Sequence, residues 1–97
     1  MASRPARLNR GRWAPRAPLM VDFTHLQGQY LAFIHTYTKL NRQAPAEADI
    51  QRYFGVTPPV VHQMVLTLHK KGLISRTPGA ARSIRVSVPV AEIPPLD

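Results

Sequence analysis

The stretch that decides the fold runs from Asp49 to Val88 and reads DIQRYFGVTPPVVHQMVLTLHKKGLISRTPGAARSIRVSV. Its first part has helical spacing and stops at Gly55, a residue that readily takes the left-handed backbone at a helix end. Thr57 is a favourable cap for a second helix, which is expected to stop at Gly72. After Gly72 the apolar period changes to two on either side of a Pro-Gly turn. The predicted order is helix, turn, helix and β-hairpin.

A further helix is predicted ahead of this stretch, over residues 24–40. Thr24 and Gln27 have the spacing of a capping box, and apolar residues follow at intervals of three to four. The fold class is therefore mainly α (α+β): a winged helix-turn-helix with three helices followed by a two-stranded β-hairpin wing. The later helices and strands are expected at about 47–54, 58–71, 74–77 and 82–88.

Helical and strand periodicity also predicts the core. Gly28 is expected to permit a close approach by a neighbouring element, since it has no side chain. The helical residues predicted to face the core are Leu26, Tyr30, Ile34, Tyr37, Ile50, Tyr53, Phe54, Val61, Met64, Val65 and Leu68.

The 97 residues are enough for one small domain. We predict a basic, disordered arm over 1–21, the winged helix-turn-helix domain over 22–89 and an extended Pro-rich tail over 90–97. The chain has no cysteine, no apolar run long enough to cross a bilayer and no signal-peptide pattern. We expect no membrane partner and a cytoplasmic location, nucleoid-associated if the source is bacterial.

Charge is distributed unevenly along the chain, whose formal net charge is +8. Residues 1–20 hold five arginines and no acid, and residues 50–91 again hold basic residues without an Asp or Glu. Such surfaces attract polyanions through phosphate contacts and counterion release, although a solvated basic face without a partner has the same composition. The candidate arm contacts are Arg7, Arg10, Arg12 and Arg16.

Sequence patterns for catalysis or metal binding are not found. The chain has no Gly-rich phosphate loop, nucleophile elbow or paired-carboxylate signal. His62 and His69 are seven residues apart, two helical turns, whereas two ligands of one ion are expected four apart. We therefore predict no enzyme activity, no metal and no cofactor.

The ordered motifs FT-x-x-Q (23–27), IQRYFGVTP (50–58) and V-x-x-L-x-KKGLISR (65–76) resemble the N-terminal DNA-binding domain of the LexA repressor family. The resemblance continues through PG-x-x-RSI (78–84) and covers about residues 22–88. It implies a winged helix that binds double-stranded DNA as a transcriptional repressor. Because the chain ends within about ten residues of the wing, we expect the family's self-cleaving protease activity to be absent.

The DNA-reading positions of the LexA family map onto Thr57, Pro59, Val60, His62 and Gln63. A family member has Asn where Pro59 stands and Glu where His62 and Gln63 stand, so the resemblance implies DNA binding without the family's operator sequence. With the third helix in the major groove, its first residues would lie at the base edges. The complete predicted DNA-binding set is Thr57, Pro59, Val60, His62, Gln63, Thr67, Lys70, Arg76, Arg82 and Arg85.

Side-chain chemistry suggests a DNA contact for each of three residues of the third helix. Gln63 could pair with adenine, His62 could donate to a guanine or a phosphate, and Val60 could pack on a thymine methyl. One alternative is a protein-interaction module, in which Val60, Leu66 and the tail dock a partner. Another is non-specific nucleic-acid binding through the arm. LexA dimerises through the domain that is expected to be absent here. The sequence is therefore compatible with DNA binding by a monomer and with DNA binding by a homodimer that forms on DNA.

Overall fold

The computed structural model describes residues 22–97. They form three helices, a two-stranded antiparallel hairpin and a short 3₁₀ turn, in that order. This order confirms the predicted winged helix-turn-helix. Across residues 22–97, none of the helices is long and apolar enough to cross a membrane.

Helix α1 spans His25–Asn41 and begins with the predicted capping box. The Thr24 hydroxyl accepts from the Gln27 N–H at 3.1 Å, and the Gln27 side-chain oxygen accepts from the Thr24 N–H at 3.0 Å. Two backbone donors at the helix start are thereby satisfied. Leu26, which the spacing predicts to be in the core, is instead 52% exposed. Its position explains this, since the buried stretch of α1 begins only at Gly28.

Helix α2 spans Glu47–Phe54, as predicted. Ala46 precedes it and has no side chain able to cap, so the Asp49 carboxylate accepts from the Ala46 N–H at 2.8 Å instead. Gly55 follows α2 with a left-handed φ of 67°, which confirms its predicted role as the helix stop. Tyr53 was expected in the core but is 47% exposed. Its ring lies stacked against a second aromatic ring at the edge of the core rather than being enclosed by it.

Helix α3 spans Pro58–Lys70 and begins with two prolines. Thr57 occupies the predicted cap position, but its hydroxyl makes no capping bond to the described part of the chain. The prolines explain this, because Pro59 has no N–H and the Val60 N–H already donates to the Thr57 carbonyl at 3.1 Å. The backbone at the start of α3 is therefore positioned by proline geometry and not by a side-chain cap.

The end of α3 is one residue earlier than predicted, with Lys71 as the cap and Gly72 just beyond it. Gly72 has a left-handed φ of 77°. Its N–H donates to the His69 carbonyl at 3.0 Å, and the Leu73 N–H donates to the Leu68 carbonyl at 2.9 Å. These two bonds form a Schellman motif, in which the glycine reverses the chain and the following apolar residue enters the core.

The hairpin consists of β1, Ile74–Ser75, and β2, Arg85–Val86, with Ile74 opposite Val86. Both strands are shorter than predicted. Between the ladder and the tip of the hairpin, the Ser83 hydroxyl accepts from the Thr77 N–H at 3.0 Å and donates to the Thr77 carbonyl at 3.1 Å. These side-chain bonds replace ladder bonds, and the left-handed backbone that follows the tip interrupts the second strand.

The core lies between the three helices and one face of the hairpin. Helix α2 packs on α3, and the hairpin covers α1. Met64, predicted to be buried, is only half-buried at the rim of this core. The large apolar residues that are most enclosed are Tyr30, Leu31, Ile34, Ile50, Val61, Val65, Leu68, Leu73, Ile74, Ile84 and Val88.

The segment after the hairpin folds back on the domain, in contrast to the extended tail that its prolines suggest. After a 3₁₀ turn at Val90–Glu92, its backbone is held by Gln29 of α1. The Gln29 amide donates to the Pro95 carbonyl at 2.9 Å and accepts from the Asp97 N–H at 2.8 Å. A Cβ atom at Gly28 would lie 3.0 Å from Pro94 and 2.9 Å from the Phe23 ring. Gly28 therefore permits the close approach that the sequence analysis anticipates.

Candidate nucleic-acid interface

Helix α3 has a buried side and an exposed side. Val61, Val65 and Leu68 are fully buried, at a spacing that places them on one face. The rest of the helix surface carries the residues of α3 that were predicted to bind DNA. Those that are exposed are Pro59, Val60, His62, Gln63 and Lys70, with Thr57 just before the helix; Thr67 is half-buried.

Val60 and Gln63 border a shallow, open depression of about 320 Å³. Its other walls come from Met64 and Thr67 of α3 and from Gln27 at the start of α1. The Thr67 hydroxyl donates to the Gln63 carbonyl at 3.0 Å, so it is engaged with its own helix. The result is a surface of neutral groups, with a carboxamide beside a half-exposed valine.

His62 is directed towards α2. Its Nδ1 lies 3.3 Å from the Glu47 carboxylate, with both side chains partly exposed. This contact holds the imidazole ring against the first turn of α2. A contact from His62 to a base or a phosphate would have to compete with Glu47.

The three arginines of the wing lie in different environments, and Arg85 borders a separate depression beside His35 and Thr38 of α1. Arg85 is exposed and Arg76 is half-buried. Arg76 and Arg82 border an open depression of about 300 Å³ between the wing tip and the start of α2. Arg82 also makes internal hydrogen bonds. Its Nη1 atom lies 3.2 Å from the Tyr37 hydroxyl and 3.1 Å from the Ala44 carbonyl.

The same Arg82 nitrogen lies 3.1 Å from the Asp49 carboxylate. Asp49 also accepts from the Ala46 N–H and from Arg52, each at 2.8 Å. These contacts hold the pKa of Asp49 below its ordinary value: the Ala46 hydrogen bond contributes most, and Arg82 and Arg52 add to it. The carboxylate is therefore charged throughout the physiological range.

A family described as "LexA DNA binding domain" matches residues 20–83. The chain belongs to this family. It is 40% identical over 78 residues to the LexA repressor of Thermosipho africanus, and 34% identical over 77 residues to that of Thermotoga maritima. These alignments cover 73% and 79% of this chain. The chain spans about 39% of the length of either relative. The described fold is thus a LexA-type DNA-binding domain.

Two parts of this LexA-type domain were not found by sequence reasoning. The first is the contact between Arg82 and Asp49, since Arg82 was expected at DNA and no partner was predicted for Asp49. The second is the docking of the tail on Gln29. Both join residues at least 33 positions apart, so no local spacing signals them.

Two further predictions concern the arginines of the arm and the absence of a metal site. Arg7, Arg10, Arg12 and Arg16 of the arm fall within 1–21, outside the described residues. Within 22–97 there is no group of three or more His, Asp or Glu side chains that could hold a metal ion.

Proposed function

We propose that this chain is a sequence-specific, double-stranded DNA-binding transcriptional regulator, with α3 in the major groove and the wing on the phosphate backbone. The observation that carries the proposal is the composition of the exposed face of α3. From Pro58 to Lys70 this helix has no acidic residue, and its first turns expose Pro59, Val60, His62 and Gln63. A face of this kind can enter a groove lined by phosphates without charge repulsion.

The residues on this face favour A·T base pairs. Guanine is most often read by Arg or Lys, and cytosine by Asp or Glu, and α3 has none of these before Lys70. What remains is a carboxamide at Gln63, which can bond adenine at two atoms, and the Val60 side chain, which can pack on a thymine methyl. Because His62 is engaged with Glu47, we assign it a contact only after that pair separates.

Phosphate contacts are assigned to the residues around this face. Lys70, Arg76 and Arg85 supply positive charge at the end of α3 and on the wing. Thr57 supplies a hydroxyl at the start of α3, where proline leaves fewer backbone N–H donors than usual for an anion. These contacts would fix the register of the protein on the duplex, while Val60 and Gln63 read the bases.

Regulation in this proposal acts by occupancy of a DNA site and involves no catalysis, metal or cofactor. The relatives are named repressors, and repression by occupancy is the simplest assignment for this chain. We place it in the cytoplasm, on the nucleoid in a bacterial cell. Whether one copy or a homodimer binds is decided by the symmetry of the bound site, because a dimer reads two half-sites about one helical turn apart.

Selection of bound duplexes from a random pool tests the proposal. The expected product is an enriched motif containing A·T pairs, and a palindromic motif would identify a homodimer. Fluorescence anisotropy across a salt series then gives the affinity for the selected duplex and for a scrambled one. Absence of binding to any duplex at low salt would refute the proposed function.

A second candidate function is a protein-interaction module, favoured by the exposure of Val60 and Leu66 on α3 at 49% and 38%. A partner docking there would need no DNA. Co-purification of a defined partner that persists after nuclease treatment and is lost in Leu66→Lys would favour this candidate. In the DNA-binding proposal, Leu66→Lys is expected to retain or strengthen binding to duplex DNA, since it adds a positive charge near the phosphates.

A further inference from the structure

We propose that Arg82 is a positioning residue that fixes the wing to the helix-turn-helix and does not itself contact DNA. This inference rests on the proposed function, because it concerns how the wing reaches the phosphate backbone. It departs from the expectation that Arg82 belongs to the DNA-binding set. We define the Arg82 network as Arg82 with its three acceptors, Tyr37, Ala44 and Asp49.

In the Arg82 network, three parts of the fold bond the same atom of the wing, Nη1 of Arg82. Nη1 of Arg82 donates to the Tyr37 hydroxyl of α1 at 3.2 Å and to the Ala44 carbonyl of the α1–α2 connection at 3.1 Å. The third acceptor is the Asp49 carboxylate of α2, at 3.1 Å. Since one nitrogen carries two hydrogens, at least one of them is shared between acceptors. All three bonds use Nη1, so the geometry directs this end of the side chain at the helices.

The backbone of the wing supports the same assignment. Arg82 has a left-handed φ of 54°, which few residues other than glycine adopt. The ladder of the hairpin pairs only two residues on each strand, so the wing tip beyond it has little sheet structure. The Thr77–Ser83 side-chain bonds lie within the wing, so in the described part of the chain the hydrogen bonds from this tip to the helices and their connection are those of the Arg82 network. Its loss would leave the position of Arg76 and the tip less defined.

Charge gives a test that separates positioning from direct contact. Asp49 is an acid on a DNA-binding domain, so its removal should strengthen DNA binding if only charge matters. If Asp49 instead holds Arg82 and thereby the wing, its removal should weaken DNA binding. The two explanations predict opposite signs for one substitution.

The experiment measures the affinity of the full chain for its selected duplex in three variants across a salt series. Asp49→Ala removes the acceptor and is expected to weaken binding about tenfold, whereas Asp49→Asn keeps an acceptor oxygen and is expected to weaken it less. Tyr37→Phe leaves all charges and the start of α2 unchanged, and is expected to weaken binding about threefold. This last variant keeps the test valid if Asp49→Ala folds poorly.

A double-mutant cycle completes the test. If Arg82 acts through Asp49, the double variant Asp49→Ala/Arg82→Gln should bind no more weakly than the weaker single variant. Arg52→Gln is the matched control, because Arg52 also bonds Asp49, at 2.8 Å, but lies on α2 and not on the wing. Its affinity is expected to stay within about twofold of the original chain, as for an exposed surface pair.

The opposite pattern would overturn the inference. Arg82 is a phosphate contact if Asp49→Ala binds as tightly as the original chain or more tightly. In that case Arg82→Gln should also reduce the slope of log affinity against log salt concentration by about 0.9, as for one lost phosphate contact. Failure of the proposed function looks different, because then the unsubstituted chain binds no duplex at low salt.

Discussion

At the residue scale, substitution of Gln63 tests its proposed role in base reading separately from general attraction to DNA. We expect Gln63→Ala to lose about 1–3 kcal/mol of binding free energy on the selected duplex, and little on a scrambled one, because the lost bonds are to a base edge. Anisotropy titrations on the two duplexes measure this difference. Lys70→Ala is the contrasting variant and should weaken binding to both duplexes alike. Equal losses on both duplexes for Gln63→Ala would remove it from the base-reading set.

Asp49 makes stability depend on pH. Its folded-state pKa is lowered by the Ala46 hydrogen bond and by Arg82 and Arg52, so it stabilises the fold above the pKa of the unfolded chain. That contribution is lost as the pH falls below about 4 and through the lowered pKa. Thermal unfolding between pH 7 and pH 2.5 should therefore show a smaller acid-induced decrease for Asp49→Asn than for the original chain. Identical pH profiles would contradict the assignment.

At the scale of single elements, the end of α1 contains a strained residue. Arg42 caps α1 with a left-handed φ of 60°, and its N–H donates to the Thr38 carbonyl at 2.9 Å. Glycine adopts this conformation without the Cβ clash, so Arg42→Gly should stabilise the domain by about 0.5–1 kcal/mol. Thermal denaturation should show a rise of a few degrees. Arg42→Ala retains a Cβ and is the control, expected to give no such gain.

Local features of these elements were predictable from sequence, whereas contacts between distant segments were not. The capping box at Thr24 and the stop at Gly55 depend on residues within four positions of one another, and each lies where it was expected. Strand lengths were overestimated because the Ser83 hydroxyl bonds Thr77 in place of the ladder. Periodicity reports which face is apolar, but it cannot report such side-chain competition.

The candidate site shows the same division. Helical spacing predicts that the residues at the start of α3, including Val60 and Gln63, are exposed, whereas their choice as base-reading positions came from the resemblance to the LexA family. The inward direction of Arg82 was missed because it depends on acceptors 33 to 45 positions away. Composition indicates that an arginine is charged, but only the tertiary fold decides whether its partner is a phosphate or a carboxylate.

At the scale of the whole molecule, Gln29 ties the last described residues to α1. It is buried, with 6% of its surface exposed, and both ends of its amide are used, by Pro95 and Asp97. Gln29→Ala removes two hydrogen bonds and should lower the free energy of unfolding by about 1–3 kcal/mol. Chemical denaturation measures the loss. Gln43→Ala, on an exposed loop residue, is the control and should change stability by less than about 0.5 kcal/mol.

The arm and the domain are expected to contribute differently to DNA binding. Five arginines lie within residues 1–20, out of a formal net charge of +8 for the chain. Deleting residues 1–20 should reduce the slope of log affinity against log salt concentration by about 0.9 for each arm arginine that contacts phosphate. The preferred base sequence should stay the same. Comparing the full chain and the deletion on selected and scrambled duplexes measures both. Loss of all sequence preference would instead assign DNA reading to the arm.

The two prolines that begin α3 have a consequence for association. A helix terminus usually frays, and ordering it on a partner costs conformational entropy. Pro58 and Pro59 restrict φ in the first turn of α3, so this turn has little freedom to lose. The surface formed by Val60 and its neighbours is consequently pre-organised before a duplex arrives. In the proposed function, recognition by this helix then resembles rigid docking more than folding upon binding.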